Sequence, residues 1–175
     1  PFASFGRDWH VVPHDTPPSL IFFCFADLAA STLADRAFLT FSGGMVIEKI
    51  LLAAQGYIEL DMPEEALREL DSLPEGAKQC ESALQMRLFV LMRARNWKEA
   101  EAVCSQMRTT LPKNTTGFIH GAFCLHEMGR TAEARALLLG GPEQLKDEPT
   151  YHYNLGCYAA VLGDVEEARR CLKIS

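Results

Sequence analysis

The sequence has no cluster of basic residues. Lys and Arg number 17 against 23 Asp and Glu, giving a formal charge of −6 and a pI near 5.4. Holding a nucleic-acid backbone needs clustered cations, so this balance speaks against a nucleic-acid partner. Arg93-Ala94-Arg95 and Arg169-Arg170 are isolated and read as solvated helix faces. No CxxC pair is present either. Cys24, Cys80, Cys104, Cys124, Cys157 and Cys171 are scattered, which reads as reduced, buried thiols in a cytoplasmic setting rather than a disulfide framework. No apolar run approaches the length of about 20 residues that a membrane span needs. The longest, residues 19–25, is soon interrupted by Asp27. It resembles the apolar part of a secretory signal, with Ala29-Ala30-Ser31 after it, but no basic segment precedes it.

Chemistry-bearing patterns are equally scarce. There is no phosphate-cradling glycine loop; Gly43-Gly44 and Gly140-Gly141 read as helix stops. His120 and Cys124 lie four apart on one helical face, with His126 nearby and His152 and Cys157 further on. Zinc wants four well-placed ligands, and no paired spacing supplies them. A Cys–His nucleophile lacks a third, orienting group. The acidic pairs Glu64-Glu65 and Glu166-Glu167 fall in helix first turns, where the helix dipole explains them. The expectation is a protein with no cofactor, no metal and no catalytic centre.

What the sequence does contain is a repeat. Residues 149–175 read as two short amphipathic helices joined by a Gly-Asp turn. The same pattern fits the three preceding stretches without a gap. The turn position falls at Asp61, Arg95, Gly129 and Gly163, in three intervals of 34. Glu-Ala recurs in phase at Glu65-Ala66, Glu99-Ala100, Glu133-Ala134 and Glu167-Ala168. A period of this size implies a stacked helical array. A small Ala recurs where two helices cross closely, and Gly156 on the opposing helix serves the same approach. Asp61 is expected to cap the helix that follows it, as is Asn96, and Pro63 suits a first helical turn.

These residues resemble the tetratricopeptide repeat family over residues 45 to 175. The last unit matches closely, through Tyr153-Asn154-Leu155-Gly156, Gly163-Asp164 and Glu167-Ala168. The third keeps Gly129, Glu133 and Ala134 but has Gly121-Ala122 for Leu-Gly. The second keeps Asn96-Trp97, Glu99-Ala100 and Pro112, and the first diverges most. The resemblance implies an all-α fold, a right-handed superhelical array of antiparallel helix pairs (an α-solenoid). The expected units are residues 45–79, 80–114, 115–148 and a truncated 149–175. The last unit breaks off inside its second helix with no polar closing helix, so its end is expected to be continued by more chain or covered by another copy. Residues 1–44 are set apart as an irregular arm. They hold seven of the ten Phe, with Trp9 and only Arg7 and Arg36 as basic residues. A short helix is expected over residues 27–38, then a break at Ser42-Gly43-Gly44.

The resemblance also implies a concave wall built from first helices. Counted in register, its residues are Leu51, Gln55 and Ile58, then Gln85, Phe89 and Met92, then Ile119, Phe123 and His126, and finally Tyr153 and Cys157. Glu48, Ser82, Thr116, Thr150 and Ala160 complete the count. The basic and Asn residues with which family members clamp acidic tails are absent from it. The expected function is therefore a protein-binding scaffold that captures an apolar helix or extended peptide. The alternatives are a secretion-type chaperone for apolar segments, an accessory domain of a larger enzyme, and a module that self-associates through its C-terminal end. A further reading has residues 20–41 filling the groove in cis.

Overall fold

The computed structural model of the chain describes residues 41–174. Those residues form eight α-helices and one 3-10 turn, with no strand among them. The helices are α1 (Phe41–Glu59), α2 (Pro63–Asp71), α3 (Glu81–Arg93), α4 (Trp97–Thr110), α5 (Thr116–Glu127), α6 (Thr131–Leu139), α7 (Pro149–Val161) and α8 (Val165–Leu172). The 3-10 turn, Glu143–Asp147, adds the extra turn before α7. Consecutive helices pack on one another, so the pairs α1–α2, α3–α4, α5–α6 and α7–α8 form four stacked units, as an α-solenoid requires. The arm over residues 1–40, including the expected helix at 27–38, lies outside the described residues.

The four turns are built identically. Asp61, Arg95, Gly129 and Gly163 are the described residues with left-handed backbone, at φ of 57°, 54°, 77° and 85°. Around each, two backbone hydrogen bonds close the helix end. The amide of the turn residue donates to Ile58, Met92, His126 and Ala160, and the next amide donates back to Tyr57, Leu91, Leu125 and Ala159. This is the Schellman arrangement, which satisfies carbonyls that a helix end leaves without partners. Glycine adopts it freely; an L side chain there pays about 1–2 kcal/mol. Arg95→Gly is therefore expected to raise stability by about 0.5–1 kcal/mol, read as a higher urea midpoint with an unchanged slope. A lower midpoint would show that the turn is not strained.

Three expectations about local structure need correction. Asp61 does not cap α2. It occupies the left-handed turn position, Met62 takes the cap position, and the Asp61 carboxylate reaches Arg93 of the next unit at 3.3 Å. Asn96 stands at the cap position of α4 but makes no capping side-chain bond. Asp164 does cap α8, accepting from the Glu167 amide at 3.1 Å. Nor is there a break at Ser42-Gly43-Gly44, because α1 runs through all three residues. Two helical glycines cost about 1 kcal/mol each relative to Ala, which weakens a helix without forbidding it.

Close packing explains the recurrent small residues. Ala66, Ala100, Ala134 and Ala168 are all buried, as are Ala54 and Ala122 on the facing first helices. A Cβ added to Gly156 would lie 2.8 Å from Leu172 Cγ and 3.4 Å from the Ala168 carbonyl oxygen. The junction between the second and third units is comparably close, and there the nearest atom to Gly117 is backbone. A Cβ on Gly117 would lie 2.9 Å from the Cys104 carbonyl oxygen, and one on Gly121 would lie 3.2 Å from Cys104 Cβ. Arg108 crosses this junction. It donates to the Gly117 carbonyl and to Glu101, each at 2.8 Å, and its guanidinium lies 6.0 Å from the Phe118 ring centre. The second and third units are each also closed across their own two ends. Asn114 donates to Glu81 at the start of the second unit, and Thr115 donates to Glu148 at the end of the third.

Candidate functional site

The eleven residues expected on the concave wall fall on the four first helices, α1, α3, α5 and α7. Their exposure divides them. Ile58 and Ile119 are 5% and 8% exposed and belong to the core. Leu51, Gln55, Gln85, Phe89, Met92, Phe123, His126 and Cys157 are half-buried, and Tyr153 is exposed. Half-burial has a structural origin. Leu51 and Phe89 pack their inner sides on the core shared by the first two units, Met92 on the next, and Cys157 on the last. Each therefore keeps an apolar edge toward solvent while its rotamer is held by the core.

Two residues outside that set shape the stripe. Trp97, at the start of α4, meets Phe123 edge-on, with ring centres 5.7 Å apart and an 81° interplanar angle. Tyr158 lies beneath His126 at 4.9 Å between ring centres. Both sit off the counted positions, so register alone does not select them; large aromatics beside the stripe are the signal that finds them. His126 Nδ1 shares a 3.0 Å hydrogen bond with Thr131 Oγ1. Gln55 and Gln85 donate to Glu59 and Glu81 on their own helices, at 3.3 and 3.2 Å. The stripe thus alternates apolar edges with amide and imidazole groups and presents no Lys or Arg at its counted positions.

The titratable groups here favour their neutral forms. Burial lowers His126, against a weaker opposing effect of Glu127. Burial also raises Cys157, although a hydrogen bond from Tyr153 opposes it. Cys104 is raised further, first by its hydrogen bond with Cys124 and then by burial. A thiol held in its protonated form is a poor nucleophile and a poor metal ligand. Among the described residues no group of three or more His, Cys, Asp or Glu is placed to hold a metal ion, and no helix is long and apolar enough to cross a membrane.

His120, on α5, is pushed down to about 4 by burial. The folded state therefore binds this proton more weakly than the unfolded chain, whose histidines titrate near 6.5. The neutral ring's contribution is intact above pH 6.5 and is lost as pH falls toward 4. Between pH 7.5 and 5.0 the expected loss is about 1–2 kcal/mol, and His126 acts in the same direction. Urea midpoints at the two pH values check this. In His120→Gln the difference should shrink; an equal difference would place the acid sensitivity elsewhere.

Four helix pairs with superposable left-handed turns and in-phase buried alanines define a helical-repeat scaffold. A family model described as tetratricopeptide repeat matches residues 91–155, from the end of α3 into α7, and supports a likeness to that family. Such repeats serve generally as non-catalytic scaffolds that mediate protein–protein interaction. A comparison with curated proteins gives no match.

Proposed function

We propose that the array captures an apolar helix or extended peptide of a partner protein along the first-helix stripe. Phe89, Met92, Phe123 and Tyr153 act as anchors, with Leu51 at one end. Gln55, Gln85 and His126 fix the orientation of the bound chain, and Cys157 adds an apolar edge. One observation carries this reading. Leu51, Phe89 and Met92 keep part of their apolar surface outside while the core beneath holds them in place, which limits the ordering cost of binding. The neutral state of His126 and Cys157 at pH 7 suits an uncharged ligand surface. The test is a pull-down with the purified chain and its Phe123→Glu variant, followed by titration of the segment identified.

A second reading has its own observation. Leu172 is 46% exposed, whereas its in-phase equivalents Leu70, Cys104 and Leu138 are 1%, 0% and 1% exposed. Val161, Val165 and Ile174 beside it are exposed as well. An exposed apolar face of this kind favours association with a second copy of the chain. Sedimentation of the intact chain and of Leu172→Asp distinguishes this reading: it requires an assembly that the substitution dissolves.

A further inference from the structure

We propose that Cys104 and Cys124 form a modification site, a dithiol that a hydroperoxide converts to a disulfide joining the second unit to the third. The packing places the two side chains together. Both are 0% exposed and belong to one cluster with Leu88, Leu91 and Met107. Cys104 lies within α4 and Cys124 within α5, the helices that meet at Gly117. Gly121 and Cys124 are three apart and so share a face of α5. A Cβ on Gly121 would stand 3.2 Å from Cys104 Cβ, so that face is the one turned toward Cys104. Helix axes usually stand about 8–10 Å apart, whereas the Cα atoms of a disulfide lie about 4.4–6.8 Å apart. Gly117 and Gly121 bring α5 closer to α4 than larger residues would. The two thiols share a hydrogen bond, so the sulfurs already face each other. The other described thiols pair with oxygen instead: Cys80 with Ser82, Cys157 with Tyr153 and Cys171 with Glu167.

The oxidation runs in two steps. One thiol loses its proton and attacks a peroxide oxygen. The O–O bond breaks, hydroxide leaves and takes up that proton as water, and a sulfenic acid remains. The second thiol attacks the sulfenic sulfur, another water leaves, and the Sγ–Sγ bond forms. The two thiols together lose two electrons and two protons, and hydrogen peroxide becomes two waters. In the closed junction Cys104 is held protonated, chiefly by its hydrogen bond with Cys124 and then by burial. Reaction therefore waits on a local opening of α5 from α4, which a stacked array permits because each unit contacts only its neighbours. Once formed, the bond closes residues 104–124 into a loop and restricts the unfolded chain, which favours the folded state by about 100-fold. It also pins α4, which carries Trp97, to α5, which carries Phe123.

The test treats the intact chain with hydrogen peroxide in buffer without urea, then denatures it, alkylates free thiols and cleaves with trypsin in the absence of reductant. Cys104 falls in the tryptic peptide 99–108 and Cys124 in 114–130, each with no other cysteine. Mass spectrometry should find these two peptides joined, and dithiothreitol should part them. The joined pair should still form in a chain whose Cys24, Cys80, Cys157 and Cys171 are all replaced by Ser. The oxidised chain should have a higher urea midpoint than the reduced chain, and Cys104→Ala and Cys124→Ala should each abolish that difference. Peptide 99–108 joined instead to another cysteine would overturn the proposal. So would recovery of both thiols alkylated from a chain in which Cys157 is oxidised. Neither readout involves partner capture, and neither cysteine lies on the stripe, so the two readings can fail separately.

Discussion

Gly117→Leu is expected to cost the protein about 2–3 kcal/mol, because the added side chain meets backbone rather than a movable side-chain end. The nearest atom to the added Cβ would be the Cys104 carbonyl oxygen, at 2.9 Å, followed by Met107 Cβ at 3.1 Å and Arg108 Cγ at 3.2 Å. A flexible side-chain end can swing aside, but a helix carbonyl cannot move without its helix. Relief therefore requires α5 to retreat from α4. That retreat stretches the Arg108 bond to the Gly117 carbonyl and parts Cys104 from Cys124. Urea unfolding should show a lower midpoint, with a broadened transition if the second and third units come uncoupled. A midpoint unchanged from the parent chain would mean that the two helices are not in the contact described.

Phe123→Glu is expected to reduce partner capture at least about 100-fold while far-UV circular dichroism stays the same. The two effects separate because Phe123 is only half-buried. Within the chain, the substitution forfeits an edge contact with Trp97 worth about 0.5–1.5 kcal/mol. In a complex the same side chain would be enclosed, and a carboxylate buried without a partner costs several kcal/mol. Phe123→Leu, which keeps an apolar surface, should retain most of the capture. Undiminished capture by the Glu variant would mean that the partner binds elsewhere than on the stripe.

Much of this architecture was legible in the sequence because the forces within one unit recur every 34 residues. The turn is fixed by local hydrogen bonding, so even Asp61 and Arg95 are drawn into a left-handed conformation that suits glycine. The alanine opposite the first helix is fixed by a crossing common to every unit. Contacts between units follow no such rule. The third position of the first helix is Lys49, Ala83, Gly117 and Tyr151 in turn, and a search for recurring residue types is blind to it. The closeness of the α4–α5 junction was missed for that reason. The binding stripe was partly legible. Counting positions found the right helices, but Ile58 and Ile119 turn inward to the core, and Trp97 and Tyr158 enter from positions outside the count.

Side-chain size at one register position sets the helix crossing in every unit, and the rest of the architecture follows from that crossing. The most direct measurement is a set of urea midpoints for Leu placed singly at Ala66, Ala100 and Ala134, compared with Leu at the exposed Ala102 and Ala136. Losses of about 1–3 kcal/mol are predicted at the three register positions, with changes within about 0.5 kcal/mol at the other two. Equal effects at both sets would contradict a size-limited crossing.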